Sequence, residues 1–266
     1  MFKIDSGSNT SLLQQVQNKQ ESILEKLSTG KRINSAADGA AAQQIIDRLT
    51  TQVEGNRQSI SNAYDGVSLT RVAEGGLAGI NENVNRIREL SVQSGNGLLN
   101  DADRRAIQSE VSQLQENISQ TIEQTEFAGK SLLSSDGNID FQVGANAGQK
   151  IAVATQDVAA GLSDILNVDL STAQGAENAL AVADTASEFV GSARADLGAT
   201  QNQFESAARN LTQADVNVSA ARSRIQDTDF AQAASESASA DILSQASLAV
   251  QNIANQQQSQ VLSLLN

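Results

Sequence analysis

The residue types that most often carry catalytic chemistry are missing from this sequence. Its 266 residues include no Cys, no His and no Trp, and only one Met. Without Cys there is no disulfide framework, thiolate nucleophile or Cys-bound metal cluster. Without His there is no Ser-His-Asp triad, imidazole base or usual zinc site. Paired carboxylates on a helical scaffold are the remaining enzymatic alternative, but their Glu-x-x-His spacing also needs His. The sequence therefore predicts no enzymatic activity, no cofactor and no metal.

Three short motifs could in principle do chemistry, and each lacks a required part. Residues 28–31 fit an S-x-x-K pattern but have no companion motif. Residues 136–140 begin with calcium-loop spacing, yet Phe141 and Ala147 stand where that loop needs Gly and Glu. The glycines within residues 75–79 are not followed by the Lys-Ser/Thr of a phosphate loop. We interpret all three as chance matches.

The charge and composition exclude other classes of function. The net charge is −13, whereas nucleic-acid binding needs a basic stripe, so we expect no nucleic-acid partner. No apolar run approaches the roughly 20 residues of a membrane span, which predicts no membrane insertion. Residues 1–10 lack the basic-then-apolar pattern of a signal peptide, so any export would use a route that reads no such signal. Average usage predicts about 13 prolines in this length, and there are none.

A heptad-like apolar rhythm predicts long helices in both halves of the chain. Steps of three and four connect Leu13 to Leu27, and the rhythm resumes after a helix start at Asn34 or Ser35. This second run is Ile46, Leu49, Val53, Asn56, Ile60, Ala63, Val67, Thr70, Ala73, Leu77, Ile80, Val84 and Ile87. The glycines at 75–79 weaken this helix, which we expect to continue through them, with or without a bend. Residues 94–97 end it, and a third helix follows, capped by Asp101 or Asp103.

The middle of the chain changes period, and the helical rhythm then returns. Ile139, Phe141 and Val143 alternate with polar residues, as do Ile151 and Val153, which predicts a β-hairpin. The predicted coiled-coil packing positions are Leu13, Val16, Ile23, Leu27, Val190, Leu197, Phe204, Leu211, Val218, Ile225, Leu243, Val250 and Ile253. The expected fold is mainly α: a long antiparallel coiled-coil-like helical rod with a small β-hairpin region in the middle of the chain. We expect residues 1–40 plus 225–266 to form a terminal-helix core domain. Residues 41–224 would form the helical rod domain, with the β-hairpin region at about 126–175.

Five segments together resemble the bacterial flagellin family. The matching segments are residues 27–36, 85–93, 141–146, 223–230 and 261–266. They span nearly the whole chain in the family's order, and the short link between the two helical halves resembles a minimal flagellin without the variable outer domains. The hook–filament junction protein of the same flagellar family is the alternative, and segments 85–93 and 261–266 favour flagellin.

The resemblance implies a secreted structural subunit of the extracellular flagellar filament. Such a chain would self-assemble into a helical homopolymer for swimming motility, after type III export in an unfolded form. Its implied partners are copies of itself, a flagellar export chaperone, the filament cap protein and hook–filament junction proteins. The absence of Cys and Pro suits this route, because neither disulfides nor slow prolyl isomerisation would delay folding.

The resemblance also implies recognition by innate immune receptors of a host. Arg86, Leu90 and Glu110 match the family's patch for a host Toll-like receptor that senses flagellin. A terminal assembly and recognition segment matches the part read by cytosolic NAIP-type receptors, and its residues are Val261, Leu262, Leu264 and Leu265. Asn266 stands where family members usually end in Arg.

Overall fold

The structure, a computed structural model, describes the main chain of residues 6–265 and the side chains of residues 11, 13–257, 259 and 260. The described chain is mainly helical, with a small antiparallel strand region near its middle, as predicted. The elements, in chain order, are α1 Ser6–Thr29, α2 Ala36–Ser94, α3 Asp101–Gln124, β1 Glu126–Phe127, β2 Lys130–Ser131, β3 Ser134–Gln142, β4 Lys150–Asp157, α4 Val158–Gly161, α5 Ser163–Leu166, α6 Ala173–Gln226 and α7 Phe230–Leu265.

The chain divides into two compact units. The first unit holds the described residues up to Val53 and from Val216 onward, and the second holds Glu54–Asp215. The predicted division, residues 1–40 plus 225–266 against residues 41–224, stays a prediction. Of the region predicted as β at about 126–175, the strands occupy residues 126–157, and residues 158–166 form two single-turn helices instead.

The start of α2 agrees with its prediction, whereas the cap of α3 differs. The Asp38 carboxylate accepts hydrogen bonds from the Asn34 and Ser35 main-chain N–H groups, at 3.0 and 2.9 Å. Helix α3 was predicted to begin with a capping aspartate, but its N-cap is Asn100, whose Oδ1 accepts from the Ala102 and Asp103 N–H groups. Asp103 completes a capping box by accepting from the Asn100 N–H.

Helix α2 continues through its glycines at 75–79, as expected. Its one non-helical position is Gly39, near its start, and residues 75–79 remain helical. Gly76 serves packing, because a Cβ there would lie 2.5 Å from Thr125 Oγ1 and 3.1 Å from a Leu133 methyl carbon. Tertiary packing therefore sustains a helix that its local composition weakens.

The core of the second unit follows the predicted apolar rhythm. The α2 positions from Ala63 to Ile87 are buried, and so are Val111 and Ile118 of α3. On α6 the buried seam is Ala183, Ala186, Val190, Ala193, Leu197, Phe204 and Ala208. Small residues dominate this seam, which lets long helices approach closely.

The predicted hairpin is confirmed in its pairing. Strands β3 and β4 are antiparallel, with Ile139 opposite Val153 and Phe141 opposite Ile151. Phe141 meets Phe204 of α6 edge to face, with ring centroids 5.4 Å apart. The hairpin therefore packs against the helical core through an aromatic contact.

Candidate functional site

Two linkers of the first unit meet through main-chain hydrogen bonds. Residue Lys31 pairs with Asp227 in an antiparallel bridge, and the Arg32 N–H donates to the Gln226 carbonyl at 2.6 Å. The Arg32 guanidinium also donates to the Ile225 carbonyl at 2.9 Å. Gly30, with φ +69°, makes the left-handed turn that ends α1 and accepts from the Thr228 N–H. The structure thus joins segments 27–36 and 223–230, a pairing that periodicity could not reveal because the two lie about 190 residues apart.

The two terminal helices, α1 and α7, pack against each other in the first unit. Val16 and Ile23 of α1 are buried, and the buried apolar residues of α7 are the small Ala233 and Ala240. Gln20 donates to the Asp241 carboxylate between the helices. In the described chain, α1 therefore packs against the alanine side of α7, and the large apolar side chains of α7 stay exposed.

Those large side chains form an exposed apolar surface on α7. Ile242 is 68% exposed and Ile253 is 53% exposed, although aliphatic side chains of this size are usually buried. Helical spacing places four of these exposed residues on one side of α7, and we call them the α7 surface: Ile242, Leu243, Val250 and Ile253. Contiguous exposed apolar residues of this kind mark sites of protein association.

The predicted coiled-coil positions divide by burial. Val16, Ile23, Val190, Leu197 and Phe204 are buried within the chain. The half-buried positions are Leu13, Leu27, Leu211, Val218 and Ile225. The exposed positions are Leu243, Val250 and Ile253. Because these last three are about half exposed, full burial of their side chains would need a neighbouring molecule.

The predicted recognition residues lie in the second unit, and two of them meet at its surface. The Arg86 guanidinium donates to Glu110 Oε1 from Nε at 2.9 Å and from a terminal nitrogen at 2.8 Å. It also donates to Glu89 Oε2 at 2.9 Å. The Arg86 and Glu110 side chains are both about half exposed. The hydrogen bonds that Arg86 donates to the two glutamates raise its pKa, with the bond to Glu110 contributing most.

The resemblance places Leu90 in that patch, but its side chain is buried in the structure. It is 1% exposed and belongs to the buried core of the second unit. Its side chain therefore offers no surface to a partner in this structure, and the exposed patch consists of Arg86, Glu89 and Glu110. The heptad rhythm carries the signal for this burial, because Leu90 follows Ile87 by a core step of three.

The side chains of Val261, Leu262, Leu264 and Leu265 fall outside the described part, although the main chain there belongs to α7. Among the described residues, no group of three acidic, Cys or His side chains is placed to hold a metal ion. No described helix has the length and apolar character to cross a membrane.

Comparisons with known proteins agree over nearly the whole chain. Residues 3–138 match the bacterial flagellin N-terminal helical region, and residues 180–265 match the bacterial flagellin C-terminal helical region. Flagellin of Bacillus subtilis strain 168 is 39% identical over 91% of each chain. The flagellar filament 30.7 kDa core protein of Treponema maltophilum is 36% identical, again over 91% of each chain.

Solved structures share the fold. The crystal structure of Bacillus cereus flagellin aligns with a TM-score of 0.53 at 25% identity, covering 61% of this chain and 94% of that one. A putative flagellar hook-associated protein from Vibrio parahaemolyticus aligns with a TM-score of 0.61 at 14% identity, which shows the fold alone.

These matches define a class of helical structural proteins that polymerise, and the chain belongs to the bacterial flagellin family. It is a structural subunit of the bacterial flagellar filament, built by self-assembly of flagellin.

Proposed function

We propose that the α7 surface is a principal contact between neighbouring subunits in the filament. The observation that supports it is the exposure of four large aliphatic side chains on one side of α7, between residues 242 and 253. Burying the exposed part of each would contribute on the order of 1 kcal/mol. A filament provides many identical neighbours, so this gain recurs at every subunit.

The pairing of α1 with α7 supports the same proposal. Alanines on α7 face α1, which leaves the opposite, larger side chains for a second partner. A contact of this kind between different surfaces of identical subunits does not close on itself and generates an open helical lattice. The assembly role predicted for Val261, Leu262, Leu264 and Leu265 belongs to the same proposal.

The test is a double substitution, Ile242→Ser with Ile253→Ser, compared with the matched change Gln245→Ser on the same helix. We expect the double variant to stay in the supernatant after seeded assembly and centrifugation, while Gln245→Ser sediments like the native chain. Circular dichroism of the monomers checks that the helix content of all three proteins is equal. Normal sedimentation of the double variant would contradict the proposal.

We further propose that the chain reaches the filament by type III export, with an export chaperone, a cap protein and junction proteins as partners. Its secretion to the cell exterior follows from the same proposal. The lack of Cys and Pro supports it, because the chain can fold on arrival without disulfide or prolyl rearrangement. Culture supernatant of a strain without the cap protein should then contain the chain as monomer, and retention of all the chain inside those cells would contradict the proposal.

Recognition by a host Toll-like receptor is proposed for the patch of Arg86, Glu89 and Glu110. Its support is a half-exposed arginine held by two carboxylates, which presents a preorganised charged surface. Arg86→Ala should lower receptor signalling by the monomer several-fold. Arg88→Ala is the control, because Arg88 lies on the same helix as Arg86 but pairs with Asp184 of α6, at 2.7 Å, and not with the glutamates of the patch. Equal signalling by the two variants would contradict this assignment.

A further inference from the structure

The loop between α2 and α3 contains the one Asn-Gly pair in the sequence, Asn96–Gly97. An asparagine followed by glycine is the dipeptide most open to intramolecular attack on the side-chain amide, because glycine carries no Cβ to block the approach. Helical asparagines are protected, since the next N–H is committed to a helix carbonyl. Asn96 lies past the end of α2 and before the start of α3.

The surroundings of the pair leave the reacting groups free. Residues 95–98 are all exposed, and Leu98 is 92% exposed. A Cβ placed on Gly97 would have nothing within 4 Å. The main-chain N–H groups of Gly95 and Asn96 donate to carbonyls in the last turn of α2, and those of Leu98 and Leu99 donate to Asn96. Among the described hydrogen bonds the Gly97 N–H donates to none.

The Asn96 carboxamide is turned toward the peptide units that follow it. Its Oδ1 accepts from the Leu98 N–H at 3.0 Å, which keeps Cγ beside the chain at residue 97. The same hydrogen bond polarises the carboxamide carbonyl and stabilises the negative charge that develops on Oδ1 during attack. The fold therefore combines a free nucleophile with an activated electrophile.

Arg104 supplies a cation beneath the loop. It is 7% exposed, and its guanidinium donates to the Ser94 carbonyl and, at 3.1 Å, to the Asn96 carbonyl. A carboxylate formed at residue 96 would find this charge close by. In an isoaspartyl product the former Asn96 main-chain carbonyl itself becomes the carboxylate, so the acceptor of Arg104 gains a negative charge.

We propose that Asn96 is a site of spontaneous deamidation in the folded subunit. The Gly97 nitrogen attacks Asn96 Cγ, the Cγ–Nδ2 bond breaks, and ammonia leaves with the proton from the Gly97 N–H. Solvent water then opens the cyclic imide at either of its two carbonyls, which gives aspartate or isoaspartate. Each event adds one negative charge to a chain that already carries −13.

The test is mass spectrometry of the folded monomer incubated in mildly alkaline buffer. Trypsin releases residues 89–104, a peptide that holds Asn96 and also Asn100, whose side chain is committed to the α3 cap. We expect the mass increase of amide hydrolysis to accumulate at Asn96 and not at Asn100. A zero-time sample digested in parallel corrects for reaction during digestion, and Asn96→Asp serves as the product standard.

Two comparisons test whether the reaction depends on Gly97 and whether it occurs in the folded chain. Gly97→Ala should suppress the reaction while leaving the fold intact, because the space for its methyl group is open. The native chain should react at a rate within a few-fold of the urea-unfolded chain. A reaction seen only in urea, an unchanged rate in Gly97→Ala, or equal change at Asn96 and Asn100 would each overturn the proposal.

Discussion

In the second unit a glycine of one helix packs directly against an aromatic ring of another helix. Gly66 of α2 lies against the ring of Phe204, so that a Cβ on residue 66 would fall 2.5 Å from two ring carbons. Phe204 is fully buried and meets Phe141 of β3 at an interplanar angle of 86°. Gly66 thus provides space for a helix–helix–hairpin contact, and its conformational freedom is not required.

Gly66→Ala should therefore lower the free energy of unfolding by about 1–3 kcal/mol, the usual result of overpacking a core. Gly75→Ala on the same helix is the matched control, because a methyl group there meets nothing within 4 Å. That control should raise stability by about 0.5–1 kcal/mol through better helix propensity. Urea unfolding of both variants measures the difference, and equal stability changes would contradict this description of Gly66.

A second residue-scale effect concerns the cap of α3. Asn100→Ala removes the acceptor of two helix N–H groups and should cost about 0.5–2 kcal/mol. Asp101→Ala, one residue further on, removes only a charge near the helix start and should cost less, about 0.3–1 kcal/mol. Thermal unfolding distinguishes the two, and a larger loss in Asp101→Ala would favour the cap that the sequence alone suggested.

At the scale of elements, the start of α2 makes a pH-dependent contribution to stability. Hydrogen bonds from the Ser35 and Asn34 N–H groups lower the pKa of Asp38 below its ordinary value of 3.8. Because the folded pKa is depressed, this stabilisation is complete above that ordinary value and is lost as the pH falls through the folded pKa.

Asp38→Asn should consequently be less stable than the native chain at neutral pH. The gap should narrow below pH 3.8 and close once the native carboxylate is protonated in the folded state. Urea midpoints measured across acid pH give the two curves, and Asp47→Asn controls for a general loss of negative charge. A gap that stays constant through the acid range would rule out this contribution of Asp38.

Most helices and the hairpin could be predicted from the sequence, because their signals are local. Periods of three and four residues located the buried seam of α2, and alternation located the pairing of Ile139 with Val153. The cap at Asn100 was missed because several polar residues in succession all suit that position. The single-turn helices α4 and α5 were missed because four residues are too short to show a helical period.

The candidate surfaces were harder to predict from the sequence than the helices and strands were. The resemblance supplied Arg86, Leu90 and Glu110, and side-chain contacts then separated the exposed Arg86–Glu110 pair from the buried Leu90. A repeat of 3.5 residues marks apolar positions but does not say whether their neighbour is in the same chain. Leu243 and Val190 therefore look alike in sequence, yet one is half exposed and the other fully buried.

For the whole molecule, apolar burial is uneven between the two units. The second unit has a buried core of large side chains that includes Leu77, Ile87 and Phe204. The first unit buries small residues of α7 and leaves the α7 surface open to solvent. A filament subunit needs this combination, because a stable body must carry apolar area that only its neighbours cover.

Negative-stain electron microscopy of the purified native chain after salt-induced, seeded assembly tests assembly through the α7 surface most directly. We expect long tubes of uniform diameter for the native chain, and none for Ile242→Ser with Ile253→Ser under the same conditions. Persistent monomers of the native chain under every condition with seeds, or equal tubes from both proteins, would contradict assembly through the α7 surface.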